Sequence, residues 1–195
     1  VLSDEANPAL GLRAIRYCLK KPQVFMDQLR AILRAAAFGN VRILFPMIST
    51  YFEICEANRM LDKAAESLER DGLPYKREIE IGAMIEVPSA VIMADVIAEN
   101  VDFFSIGSND LTQYTMAAGR ENPMVTEYFI DDHPAVLRLI EMVVREAGDK
   151  PVSLCGELAG RVDSIPRVLK TGITSLSVSA DRRASSSVAS PGCSL

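Results

Sequence analysis

The sequence predicts an α/β protein built on a parallel sheet. Three observations carry that prediction. Short apolar runs alternate with amphipathic helical stretches along most of the 195 residues. The runs are rich in Ile, Val, Leu and Phe, as expected of strands buried on both faces. Three successive runs end in polar, reactive residues: Glu86, then Gly107-Ser108-Asn109-Asp110-Leu111-Thr112-Gln113-Tyr114-Thr115, then Cys155-Gly156-Glu157. In a parallel α/β protein the C-terminal ends of the strands are where chemistry sits.

Taken in order, residues 23–38 place Phe25, Leu29, Ile32, Leu33 and Ala36 on one helical face. A strand follows over 41–48. Thr50 with Glu53 fits a capping box, opening a helix over about 51–70 that buries Ile54, Ala57, Leu61, Ala64 and Leu68 and is ended by Gly72 and Pro74. A second strand spans about 79–86. Pro88 stands at the first position of a helix over about 88–99. The third strand covers about 102–107, and a short helix starts from Leu111. Pro134 opens another helix with Val136, Leu137, Ile140, Val143 and Val144 inward. The fourth strand is about 151–155, a short helix lies around 164–170, and the last strand is about 174–178. Five strands separated by helices fit either an open doubly wound sheet or part of an eight-stranded barrel.

Composition sets bounds on function. Hydrophobic residues make up 49% and charged residues 24%, ordinary for a globular protein, and the net charge of −5 argues against a nucleic-acid partner. No apolar run approaches the ~20 residues of a bilayer span, so no membrane insertion is expected. Cys18, Cys55, Cys155 and Cys193 show no metal-site or redox spacing and read as reduced thiols of a cytoplasmic protein. There is no Gly-rich dinucleotide fingerprint and no Gly-Lys-Ser phosphate loop. The chain opens on Val1 rather than Met, which reads as a fragment. Residues 180–195, rich in Ser and Ala without periodicity, read as a disordered or non-native tail; residues 1–179 form the folded domain.

The candidate site residues each carry two readings. Glu86 and Asp110, on neighbouring strand ends, suit a hard divalent cation such as Mg2+ or Mn2+; either could instead cap the helix that follows. Arg13, Arg16 and Arg120 suit bidentate recognition of phosphate or carboxylate, and each also reads as a solvated surface residue. Cys155 could be a general acid, a nucleophile or a buried, apolar-like cysteine. His133, the only histidine, reads as structural, and Cys18 and Cys55 as packing residues.

The segments NPALGLRAIR (7–16), DQLRAILRAAAFG (27–39), RILFPMI (42–48), IEIGAMIEVPSA (79–90), VDFFSIGSNDLTQYT (101–115), GREN (119–122) and CGELAG (155–160) occur in order. Together they resemble the phosphoenolpyruvate (PEP)-binding domain of the Enzyme I family, the PEP–protein phosphotransferases of bacterial sugar uptake. The resemblance covers about residues 6–179. Pyruvate phosphate dikinase and PEP synthase share the barrel and the Asn-Asp-Leu-Thr-Gln signature, but CGELAG and the 27–39 helix look more like Enzyme I. The resemblance implies a TIM-type parallel β/α barrel that binds PEP with Mg2+ (or Mn2+). It implies Glu86 and Asp110 as metal ligands. Arg13 and Arg120 would hold the phosphoryl group and the other anionic oxygens, Asn109 would contact phosphate, and Cys155 would exchange a proton with C3 of the enolate. It further implies phosphoryl transfer to a histidine on a separate N-terminal domain, then to the carrier HPr, by a homodimer.

Five strands match the last five of such a barrel, so the first three are expected before Val1, with further substrate arginines. His133 does not match the phospho-accepting motif. An open five-strand barrel leaves edges and apolar faces exposed, so this chain by itself is expected not to turn over. A fragment of a dikinase or PEP synthase, or a non-catalytic module that dimerises or binds PEP-like anions, are the rival readings.

Overall fold

The structure, a computed structural model, describes Glu5 and residues 7–179; the expected tail over 180–195 lies outside the described residues. Five strands, β1 (Arg42–Phe45), β2 (Glu80–Ile85), β3 (Phe103–Gly107), β4 (Val152–Cys155) and β5 (Ser175–Leu176), form one sheet. Every pairing is parallel, and the order in space is β1-β2-β3-β4-β5. That order decides between the two architectures. A doubly wound sheet reverses direction at a switch point. Here each strand lies beside its predecessor, the order of a barrel wall, in which right-handed crossovers all run the same way. β1 and β5 each pair with one neighbour, so the sheet is an open arc with five of a barrel's eight strands.

Among the described residues the sheet is accompanied by eight α-helices: α1 (Ala14–Lys20), α2 (Pro22–Ala36), α3 (Tyr51–Arg70), α4 (Pro88–Ile92), α5 (Ala94–Ala98), α6 (Ser108–Met116), α7 (Pro134–Glu146) and α8 (Ile165–Lys170). Strand side chains alternate between faces. Ile43, Phe45, Ala83, Ile85, Phe104, Ile106 and Leu154 are buried in the core with Leu29, Leu33, Ile54, Leu61, Leu68, Val91, Ile140 and Val143 of the helices. On the concave face the register sets Met84, Ser105, Ser153 and Ser175 in one row, and Gly107 beside Cys155 in the next.

Glu53 shows how local sequence sets the elements. Its carboxylate accepts the N–H groups of Ser49 (2.7 Å) and Thr50 (2.9 Å), completing the predicted capping box of α3. His133 caps α7: its Nδ1 accepts from the Ala135 N–H at 3.2 Å, a structural role as expected.

Three elements differ from expectation. The helix over 88–99 is two helices, because Met93 leaves helical backbone (φ −104°, ψ 20°); both pieces pack on α7. The helix expected from Leu111 begins at Ser108, whose hydroxyl donates to the Cys155 carbonyl (2.7 Å) and fastens the first turn to β4. The last strand is only two residues long, although the Ser177 N–H still donates to the Leu154 carbonyl at 2.8 Å.

Candidate functional site

Because β2, β3 and β4 are parallel neighbours, Glu86, the Gly107–Asp110 turn and Cys155 emerge on one edge of the sheet. Glu86 follows β2 and is only 6% exposed. Its Oε1 accepts the Met47 N–H at 2.7 Å. A side chain at position 107 would run into it: a Cβ on Gly107 would lie 2.6 Å from Glu86 Oε2. Glycine at this position is therefore what lets the carboxylate pass between β2 and β3. Burial, with the Asp110 carboxylate adding to it, pushes Glu86 up to about 7; the Met47 N–H and the Arg13 charge pull the other way.

Asp110, in the first turn of α6, is gripped by Arg13 from the start of α1. Arg13 Nη2 donates to Asp110 Oδ2 at 2.9 Å and Nη1 to Oδ1 at 3.4 Å. Burial opposes the Arg13 charge, but the Asp110 hydrogen bonds and charge outweigh it and raise the Arg13 pKa. Arg13, Asp110 and Arg120 line one cleft of about 970 Å3, with Gln113, Tyr114 and Gly119. Arg120 is the looser arginine. Its backbone N–H donates to Gln113 Oε1 (3.2 Å), while its side chain reaches only Glu121, at 4.0 Å. Arg16 points elsewhere, toward Ser49 (3.3 Å) and Glu53 (3.9 Å), and braces the start of α3.

Asn109 and Cys155 line a second cleft of about 400 Å3, with Gly156, Glu157, Gly160 and residues 177–179. Asn109 Oδ1 accepts the Glu157 N–H at 2.9 Å, which leaves the amide NH2 as its donor end. The Cys155 thiol donates to the Ile106 carbonyl at 3.4 Å, and the Ser105 hydroxyl donates to Sγ at 3.7 Å. Burial pushes the thiol up, the Glu86 charge adds to that, and the Ser105 bond partly offsets both, so at neutral pH the group is a thiol that holds its proton. Gly156 adopts φ +96°, and a Cβ there would lie 2.9 Å from Asn109 Oδ1.

The structure thus brings Glu86, Asp110 and Arg13 into one cluster, sets Arg120 in the same cleft wall, and puts Asn109 and Cys155 on the other side of the α6 start. A buried Glu86 carboxylate whose proton affinity is raised by burial and by the half-buried Asp110 beside it is part of a donor set that a hard cation relieves. Among the described residues no three His, Cys, Asp or Glu side chains cluster, so the pair fits an ion that draws its other ligands from water and substrate, as Mg2+ does.

Sequence reasoning missed Met47 and Tyr114. Met47 has left-handed backbone (φ 62°), which turns its N–H onto Glu86. The other non-glycine residues with positive φ among those described are Ala14, next to Arg13, and Ala117, in the wall of the larger cleft. Each costs about 1–2 kcal/mol, and such strain gathers where the surroundings over-determine the backbone. No composition signal marks a Met or Ala for this; the missed cue for Tyr114 was its spacing of four from Asp110, one turn along the same helix face.

Residues 1–188 match the family of PEP-utilising enzymes through its PEP-binding domain. The chain belongs to that family. Phosphoenolpyruvate-protein phosphotransferases are similar over 181 residues, 92% of this chain: 46% identical in Priestia megaterium and 48% in Bacillus subtilis. The chain spans about a third (32%) of the length of these relatives. Among solved structures, a citrate lyase from Burkholderia xenovorans matches with TM-score 0.60 at 18% identity, over 84% of this chain and 52% of that one. An aldolase/citrate lyase family protein from Burkholderia cenocepacia matches with TM-score 0.55 at 20% identity, over 87% and 70%. At these identities the likeness bears on the fold alone, and it is to barrel-type α/β proteins.

Proposed function

We propose that this chain is the PEP-binding part of a PEP–protein phosphotransferase. The observation that carries the reading is the Glu86–Asp110 pair with Arg13 on its flank, at the C-terminal strand ends of a domain of this family. PEP carries a phosphate and a carboxylate, and the cluster offers what a molecule with two anionic groups requires. Arg13 and Arg120 bind its anionic oxygens, and the fork of Arg13 suits a bidentate grip. The Asn109 NH2 donates to a phosphoryl oxygen. Glu86 and Asp110 hold Mg2+ or Mn2+, which when bound neutralises charge on the phosphoryl and enolate oxygens. As the P–O bond breaks, the phosphoryl group passes to a histidine nitrogen of a separate domain, and from there to HPr in sugar uptake. The Cys155 S–H bond gives its proton to C3 of the enolate, forming pyruvate, and solvent reprotonates the thiolate. A thiol whose pKa is raised keeps a proton to give at neutral pH, and its thiolate is basic enough to take one back in the reverse direction. The same reading makes the protein a cytoplasmic homodimer. The dikinase and PEP synthase alternatives have less support, since the relatives named above are phosphoenolpyruvate-protein phosphotransferases.

Calorimetric titration with PEP, with and without Mg2+, tests the reading. PEP binds in the presence of Mg2+, and Glu86→Ala lowers its affinity about 100-fold. Binding that ignores both the metal and Glu86→Ala overturns it.

A further inference from the structure

The geometry points to Tyr114 as a positioning residue that locks Arg13, and the segment leading to it, onto α6. This rests on Arg13 as the arginine that grips the anionic substrate.

Asp110 and Tyr114 stand four residues apart in α6 and so share one face, a turn from each other. The Arg13 guanidinium spans both. While two of its N–H groups engage Asp110, Nη1 also donates to the Tyr114 hydroxyl at 3.3 Å. That hydroxyl, able to accept and donate, gives its own proton to the Ala9 carbonyl. A single oxygen therefore fastens both ends of residues 9–13 to the helix that carries Asp110.

The segment needs such a tie. It consists of a three-residue 3-10 turn, Pro8–Leu10, followed by Gly11, and Leu10 is 65% exposed. Among the described residues a further side-chain tie is the Leu12 N–H donating to the Glu5 carboxylate at 3.1 Å. The segment ends on Ala14, held in left-handed backbone. Arginine side chains lose much rotamer freedom when they are fixed, so a guanidinium that must meet an anion gains from being held beforehand. Asp110 serves that purpose only in part, because as a cation ligand it must share its oxygens. Tyr114 is neutral and competes neither for the cation nor for the guanidinium charge. Burial pushes its hydroxyl up, so it remains a donor to Ala9 across the physiological range.

Tyr114→Phe removes the hydroxyl and keeps the ring. Two measurements on the full chain decide the matter. Hydrogen exchange of the amides over residues 10–13 accelerates about tenfold in the variant, while α2 and α3 are unchanged. PEP affinity in the presence of Mg2+ also falls about tenfold, and that loss disappears when the substitution is made in an Arg13→Ala background. Unchanged exchange over residues 10–13 overturns the proposal. So does a loss of affinity that is the same in both backgrounds, which would mean a general structural role. If the wild-type protein binds no PEP, the functional reading fails by itself, and the exchange experiment still decides whether Tyr114 is the tie.

Discussion

The two clefts that flank the start of α6 are built on opposite principles. In the larger one the groups that matter are charged and hold each other: Arg13 and Asp110 meet across 97 residues of sequence, with Glu86 behind them. In the smaller one, Glu157 of its lining apart, the groups are neutral and the backbone holds them. Asn109 is fixed by the Glu157 N–H, Cys155 by the Ile106 carbonyl, and Ser108 by the Cys155 carbonyl. The difference lies in how each side is held: mutually paired charges can open and exchange partners, whereas a group donating to a fixed carbonyl keeps its place.

The contrast can be broken most strongly on the backbone-held side. Gly156→Ala forces a side chain into left-handed backbone and against Ser108 and Asn109. We expect a loss of about 3 kcal/mol, a fall in Tm of roughly 6–12 °C by calorimetry, with the Arg13–Asp110 side unaltered.

The next effect lies on the charged side and has a sign fixed by pH. Glu86 is raised from 4.5 to about 7 on folding. A raised group contributes its full stability below the unfolded value and loses it as pH climbs through the folded one. Glu86 therefore destabilises the fold increasingly between about pH 4.5 and 7, and fully above that. Glu86→Gln removes the buried charge and keeps an oxygen for Met47. Denaturant titrations of the two proteins should coincide near pH 4 and diverge by on the order of 2 kcal/mol at pH 8, the variant being the more stable. Equal stability at pH 8 would show that the carboxylate is not held at a cost.

The smallest effect sharpens the comparison. Arg13 keeps 35% of its side chain exposed, so its bond to Asp110 is screened. A double-mutant cycle with Arg13→Ala and Asp110→Ala should give a coupling of about 1 kcal/mol, falling as salt is raised. A coupling above about 3 kcal/mol would mean a rigid ion pair rather than one able to open.

How much of this was legible beforehand depends on distance along the chain. Strand–helix alternation and the Glu53 capping box are local effects, written within a few residues, and the sequence reading of them matches the structure; His133, read only as structural, turns out to cap α7. The strand ends bearing Glu86, Asp110 and Cys155 were legible for the same reason: in a parallel sheet, position along each strand sets the edge. Met47 was not, because its role comes from a left-handed turn; for Tyr114 the spacing from Asp110 put it on the right helix face, but its partner, a loop 105 residues away in sequence, was not legible. The break at Met93 was also invisible, since Val91-Ile92-Met93-Ala94 continues a helical pattern.

The sequence alone therefore determined the class of fold, its strand and helix order, and which residues stand at the reactive edge, because period and capping act through neighbours. Only the tertiary structure decided that the sheet is an arc of a barrel rather than doubly wound. It alone paired Arg13 with Asp110, raised Glu86, and placed Asn109 and Cys155 in a cleft of their own. Those outcomes depend on burial and on contacts between distant segments, which no local pattern encodes.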